Sequence, residues 1–166
     1  MVTIKKGTHS SFKFPSLVLD ETKIAYKVRF TPSCRYDIGI ADQLDINKLF
    51  GIGYFPHHHK NSMRFGWRYL PHMDAIEALG YYYVNGQRMH EHVAFLRIDG
   101  NYTFIMHILV DGHLLTILDD DMKYVAGDLV INRLKGKNMG YALHPYFGGN
   151  QTAPHDIQIE MKKVKE

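Results

Sequence analysis

From Lys23 to Phe30 apolar and polar positions alternate: Ile24, Tyr26, Val28 and Phe30 are apolar, while Lys23, Lys27 and Arg29 between them are charged. A period of two sends successive side chains to opposite faces of a strand, so this segment predicts one packed face and one wet face. Residues 62–69 repeat the pattern, with Met63, Phe65, Trp67 and Tyr69 on one side and Arg64 and Arg68 on the other. Residues 12–19, 34–40, 76–84, 87–96, 102–110, 113–118, 128–134, 141–147 and 155–161 read as further strands. Several of these are apolar on both faces, as in the middle of packed sheets. The single helical candidate is a short turn over residues 45–50, which Gly51 and Gly53 stop.

The turn chemistry agrees with the strands. Asn85-Gly86 between two alternating runs is a strong hairpin signal, because both central residues of a type I′ turn take positive φ. Asp111-Gly112 repeats it, and Asp99-Gly100-Asn101, Gly136-Lys137-Asn138 and Gly148-Gly149-Asn150 punctuate the rest. About nine to eleven strands at hairpin spacing predict an all-β chain, an antiparallel β-sandwich of jelly-roll type.

A two-residue loop at Asn85-Gly86 also fixes register. It pairs Val84 with Gln87, Tyr83 with Arg88, Tyr82 with Met89, Tyr81 with His90 and Leu79 with His92. One face then carries Tyr81, Tyr83, Arg88, His90 and His92, and the other carries Tyr82, Met89, Val93 and Phe95. The second set is core-like. The first mixes flat aromatic rings, which stack on sugar faces, with Arg and His donors for hydroxyls or carboxylates. An ordinary outward strand face rich in tyrosine has the same composition.

Composition narrows the function classes. The chain has 166 residues, 45% of them hydrophobic, which fits one domain able to fold without a metal or disulfide staple. A formal charge of +3 with 22% charged residues argues against both disorder and a dedicated polyanion binder, so no nucleic-acid partner is expected. The 11 histidines are unusual, and protonating all of them carries the formal charge from +3 to +14. Binding of an acidic ligand at a histidine-bearing face is therefore expected to strengthen as pH falls through about 6.5. Cys34 is the only cysteine and reads as a buried small residue, so no intrachain disulfide is expected. No apolar signal core or membrane-length apolar stretch is present, which fits a cytoplasmic protein, a virion component or a mature secreted domain.

The chemistry-bearing clusters give little catalytic signal. His57-His58-His59 has diverging side chains and none of the spaced zinc signatures, so a donor-rich loop is expected. Asp119-Asp120-Asp121 lacks the spaced oxygen donors of a calcium loop, and Asp42 and Asp45 read as caps. No metal or other cofactor is expected. With five glutamates and no carboxylates at alternate positions of one strand, retaining sugar hydrolysis has no obvious pair. Elimination across a uronic acid needs a carboxylate neutraliser and a proton-transfer group, and Arg64, Arg68, Tyr81, His90 and His107 are of the right types.

Two stretches carry a resemblance. Asn61-Ser62-Met63-Arg64-Phe65-Gly66-Trp67-Arg68-Tyr69 with residues 81–88, and the ending from Leu143 through Pro145-Tyr146-Phe147-Gly148-Gly149-Asn150 to Ile157, resemble an uncharacterised group of β-sandwich proteins from Bacteroidetes and their phages. That group is similar in pattern to concanavalin A-like lectin and glucanase folds. The resemblance implies a jelly roll and glycan contact or a virion role, and it assigns no catalytic residue. The chain departs from the alginate-lyase pattern of that fold, lacking a Gln-Ile-His strand and a Tyr-x-Lys-x-Gly strand. His155 and Asp156 point to opposite sides of a strand, so the ending reads as structural. The leading expectation is a non-catalytic module that binds carbohydrate through Arg64, Arg68, Tyr81, Tyr83, Arg88, His90, His92 and His107. A polysaccharide lyase acting in the same groove and a phage virion protein, a homo-oligomer with virion partners, are the alternatives.

Overall fold

A computed structural model describes residues 1–11, 16–39, 41–120 and 122–164. Its strands are β1 (Val2–Ile4), β2 (Leu17–Leu19), β3 (Lys23–Phe30), β4 (Asn47–Tyr54), β5 (Ser62–Leu70), β6 (Ala75–Val84), β7 (Gln87–Arg97), β8 (Tyr102–Ile108), β9 (His113–Asp119), β10 (Tyr124–Ile131), β11 (Met139–Leu143) and β12 (Ile157–Lys163). They form two antiparallel six-stranded sheets, ordered β1-β12-β3-β8-β9-β10 and β2-β11-β4-β5-β6-β7. The architecture is the predicted antiparallel β-sandwich of jelly-roll type. No helix among the described residues is long and apolar enough to cross a membrane.

The alternating positions behave as their pattern requires. Met63, Phe65 and Trp67 of β5 are fully buried, and the two rings meet Phe30 and Phe104 of the facing sheet, with Phe30–Trp67 ring centroids 5.3 Å apart and Phe65–Phe104 5.0 Å apart. Such tilted and edge-on aromatic pairs add stability beyond the area they bury. Cys34 is buried, as its type predicts.

Two local departures matter for the outer face. Residues 47–54 form a strand, not the expected helical turn. A Cβ at Gly51 would stand 2.1 Å from the Met63 carbonyl oxygen, so the glycines that read as stop signals are the residues that let β4 lie against β5. The predicted β6–β7 register holds at all five pairs, but a bulge between Ala78 and Leu79 leaves Val93 as an extra residue on β7. Beyond it the phase reverses, so Ala94 and Leu96 point inward. Phe95, expected in the core, is 53% exposed and packs on His92 with centroids 4.4 Å apart. Of the strand expected over residues 34–40, the described residues 34–39 do not pair as one. Pro32 opens a short 3-10 turn ending at Cys34, whose N–H bonds to the Thr31 carbonyl, and Ile40 lies outside the described residues. Of the strand expected over 12–19, only Leu17–Leu19 is described as one, residues 12–15 lying outside the description.

Candidate functional site

The outer face of the second sheet is built row by row by its register. Ser62 pairs with Tyr83, which pairs with Arg88; Arg64 pairs with Tyr81, which pairs with His90; and Gly66 pairs with Leu79, which pairs with His92. On the other side Gly51 of β4 pairs with Arg64, and Gly53 pairs with Ser62. Having no side chains, these two glycines let neighbours close in: Arg64 lies over Gly51, and the Tyr141 ring and His58 lie over Gly53. The result is a groove of about 560 Å³ lined by Ser62, Arg64, Tyr81, Tyr83, Lys48 and Arg88, with walls from His58, His59 and the segment 142–150.

A strap over residues 41–46 bounds the groove. Buried Gln43 anchors it by donating to the carbonyls of Tyr36 and Tyr69, both at 3.1 Å, and Arg68 donates to the Leu44 carbonyl at 3.1 Å. Ile46 then lies over Gly66, where a Cβ would stand 2.6 Å from Ile46 Cγ2, and packs with Leu79 and Tyr81. Leu79, on an outward position, is consequently only 1% exposed. The opposite wall is fixed through buried Asn47, whose side-chain oxygen accepts a 2.5 Å hydrogen bond from the Gly148 N–H. Tyr146 exchanges backbone hydrogen bonds with Lys48 and stacks on His9 at 4.9 Å.

Cations dominate the electrostatics. Lys48, Arg64 and Arg88 line the groove, and among the described residues no aspartate or glutamate does. Arg64 is 9% exposed, and among the described residues no carboxylate pairs with its guanidinium and no acceptor takes a hydrogen bond from it. Burial lowers its pKa, opposed by the hydroxyls of Tyr81, Tyr141, Tyr83 and Tyr146 around it. Lys48 donates to the Gly148 carbonyl at 3.0 Å and lies over the Tyr81 and Tyr146 rings at 4.9 and 5.4 Å. Burial, helped by the Arg64 charge, pushes its ammonium down to about 8, with Asp45 pulling the other way. Tyr81 is raised to about 12 by burial and by its 3.5 Å hydroxyl contact with Tyr83, so it is a neutral phenol at ordinary pH. His58, beside the Tyr141 hydroxyl at 3.3 Å, is pushed down to about 4 by burial and the Arg64 charge.

Of the residues expected from sequence, Arg64, Tyr81, Tyr83 and Arg88 come together in the groove. Arg68 and His92 do not. They lie beyond Ile46 and both bind Glu77, Arg68 Nε to Oε2 at 2.6 Å and His92 Nδ1 to Oε1 at 3.0 Å. Burial works against the Glu77 charge, but these two partners override it and hold the carboxyl below its usual range. His90 is exposed on the edge strand outside the groove lining. His107 is on β8 of the other sheet, paired with Lys23 and Leu114, so it cannot reach the groove. Alternation in residues 102–110 indicated its outward direction but not which sheet it belongs to. Sequence reasoning missed Lys48, assigned to a helical turn, and Ser62, Tyr146, His58 and His59. The Pro145-Tyr146-Phe147-Gly148-Gly149-Asn150 stretch was the available signal for one wall. His155 Nε2 donates to the Ser33 carbonyl at 2.8 Å, and Asp156 accepts from Lys5 and Lys6, so those two residues are structural.

Among the described residues, no three metal-ligating side chains converge. Another hollow, of about 550 Å³ on the outer face of the first sheet, contains Arg29 already paired with Glu160 at 2.5 Å, and among the described residues lining it no buried cation lacks a partner.

Fold and groove define the class: a jelly-roll β-sandwich with a cationic, tyrosine-walled groove on one sheet. No protein-family model matches the chain, and no curated protein matches it. Among solved structures it is similar to the crystal structure of the alginate lyase from Klebsiella pneumoniae, with a TM-score of 0.49 and 9% identity over 87% of this chain. The match spans 59% of that protein's chain, less than two thirds of it.

Proposed function

We propose that the groove binds an acidic carbohydrate, with a uronate carboxylate seated on Arg64. The observation that carries this reading is the buried Arg64 left without a carboxylate partner, beside a second, half-buried cation, Lys48. A buried charge is costly unless paired, and a planar carboxylate is the geometric complement of the guanidinium fork. The rings of Tyr81, Tyr83 and Tyr146 supply flat surfaces for sugar faces, while Asn150, His59 and Ser62 supply hydroxyl partners. Screening the protein against uronate-containing and neutral oligosaccharides tests it. Binding confined to the uronates and lost in Arg64→Met is expected, whereas equal binding of neutral glycans would remove the carboxylate from the account.

Lys48 favours a second, catalytic reading of the same groove. With its ammonium near 8, it can give up and regain a proton close to the carboxylate subsite. In a β-elimination, a base removes the proton on the carbon next to the carboxylate. The electron pair forms the new C=C bond, the glycosidic C–O bond breaks, and the leaving oxygen takes a proton. Arg64 would hold the carboxylate as charge develops on it. Incubation with acidic polysaccharides should then produce the ultraviolet absorbance of an unsaturated uronate, and its absence across such a panel rejects this reading while leaving binding intact.

A further inference from the structure

Among the described residues, three buried polar atoms have no hydrogen-bond partner: Trp67 Nε1 in the core, and the hydroxyl oxygens of Ser62 and Ser11, both of which line the groove. Ser62 is 1% exposed and sits on β5 two residues before Arg64, on the same face, between Gly53 of β4 and Tyr83 of β6. Neither neighbour satisfies it. Gly53 has no side chain, and the Tyr83 hydroxyl is engaged with that of Tyr81. A buried hydroxyl without a partner destabilises the structure that contains it, and alanine would occupy the same space without that penalty. No side chain or backbone group among the described residues meets the Ser62 hydroxyl, so it is available to a partner from outside.

Residues two apart on a strand are separated by roughly 7 Å along the chain. One sugar ring with its exocyclic carboxyl bridges such a span, so a uronate seated on Arg64 presents a ring hydroxyl near Ser62. We propose that Ser62 is a specificity-determining residue, whose hydroxyl exchanges a hydrogen bond with a ligand hydroxyl adjacent to the carboxylate on Arg64. This inference rests on the acidic-carbohydrate reading. It adds discrimination, because a site with a buried polar group awaiting a partner rejects an analogue that lacks that partner.

The test is calorimetric titration of wild type, Ser62→Ala and Arg64→Met with tetrasaccharides of galacturonate, glucuronate, mannuronate and guluronate, together with the melting temperature of each protein. Ser62→Ala is expected to weaken binding about 10-fold or more, the loss of one hydrogen bond from a buried site, while its melting temperature stays the same or rises. Binding within twofold of wild type overturns the proposal, since the hydroxyl would then meet no part of the ligand. A fall of several degrees in melting temperature also overturns it, because the hydroxyl would have an internal role. No binding by wild type to any of the four removes the acidic-carbohydrate reading and this inference together. Wild-type binding that depends on Arg64 but not on Ser62 removes this inference alone.

Discussion

At the scale of single residues, the groove is a place where the protein gives up stability. The ordinary ammonium of an unfolded chain is charged up to about 10.5, whereas Lys48 in the fold loses its proton near 8. Between these values the unfolded chain binds more protons than the fold, so this group adds stability as pH rises through that window and subtracts it below. Lys48→Met is therefore expected to raise stability at pH 7 by roughly 1–3 kcal/mol, measured by chemical denaturation, while weakening binding of an acidic ligand. For binding the sign is the reverse: affinity of wild type should fall as pH rises through about 8, where Lys48 loses its charge. That step is separate from, and higher than, the one near 6.5 anticipated from histidine content. His58 is neutral above about 4, and His90 and His92 lie outside the groove, so of the other described histidines only His59 and His144 stand beside the lining residues. His113 shows the acid side of the same logic. Its Nδ1–H donates to the Leu134 carbonyl at 2.9 Å, so Nε2 must accept the Tyr54 hydroxyl at 2.8 Å, and the ring is held neutral. Burial sets its proton affinity at about 4, below the unfolded value of 6.5, so stability is lost as pH falls between the two, in total about 1–3 kcal/mol. Thermal melts between pH 7 and 4.5 should show a shallower slope in His113→Gln than in wild type.

At the scale of elements, what was legible depended on whether phase alone decides a side chain's direction. Strand β5 has an unbroken period of two, and the buried set Met63, Phe65 and Trp67 follows from it directly. The β6–β7 hairpin was legible through its turn, because Asn85-Gly86 fixes the register of everything up to Leu79. Past that point one extra residue, Val93, inverts the pattern, and a one-residue slip sends every later side chain to the other face. No local feature of Glu91-His92-Val93-Ala94 marks the bulge. Phe95→Ala is accordingly expected to change stability by less than about 0.5 kcal/mol, and Leu96→Ala to cost about 2–5 kcal/mol. The opposite order in denaturant melts would restore the simple alternation. Strand β4 was missed for a related reason: glycine signals a break by propensity, yet Gly51 is required by the approach of the β5 backbone. Gly51→Ala should cost about 2 kcal/mol or more by forcing β4 and β5 apart.

At the scale of the whole molecule, the sequence contained the rows of the outer face but not the things that divide it. Arg64 and Arg68 are equivalent by alternation. Their fates differ because the strap over residues 41–46 returns across the sheet and Ile46 closes over Gly66 and Leu79. Arg68 thereby becomes an anchor, bonded to Leu44 and Glu77, and Arg64 remains the buried cation with no carboxylate of its own. Likewise no periodicity could assign His107 to the opposite sheet, since strand order across a sandwich is set by long-range pairing. The groove is thus a product of topology acting on a face whose chemistry was already readable in Tyr81, Tyr83 and Arg88.

The central claim is that the Arg64 guanidinium receives a carboxylate, and chemical removal of that charge from the ligand tests it without altering the protein. Dissociation constants for one oligouronate, measured at pH 7 as the free acid and as its methyl ester, are predicted to differ by about 10- to 100-fold in favour of the acid, the contribution of a charge-assisted hydrogen-bonded pair. Equal affinities for acid and ester would contradict the account.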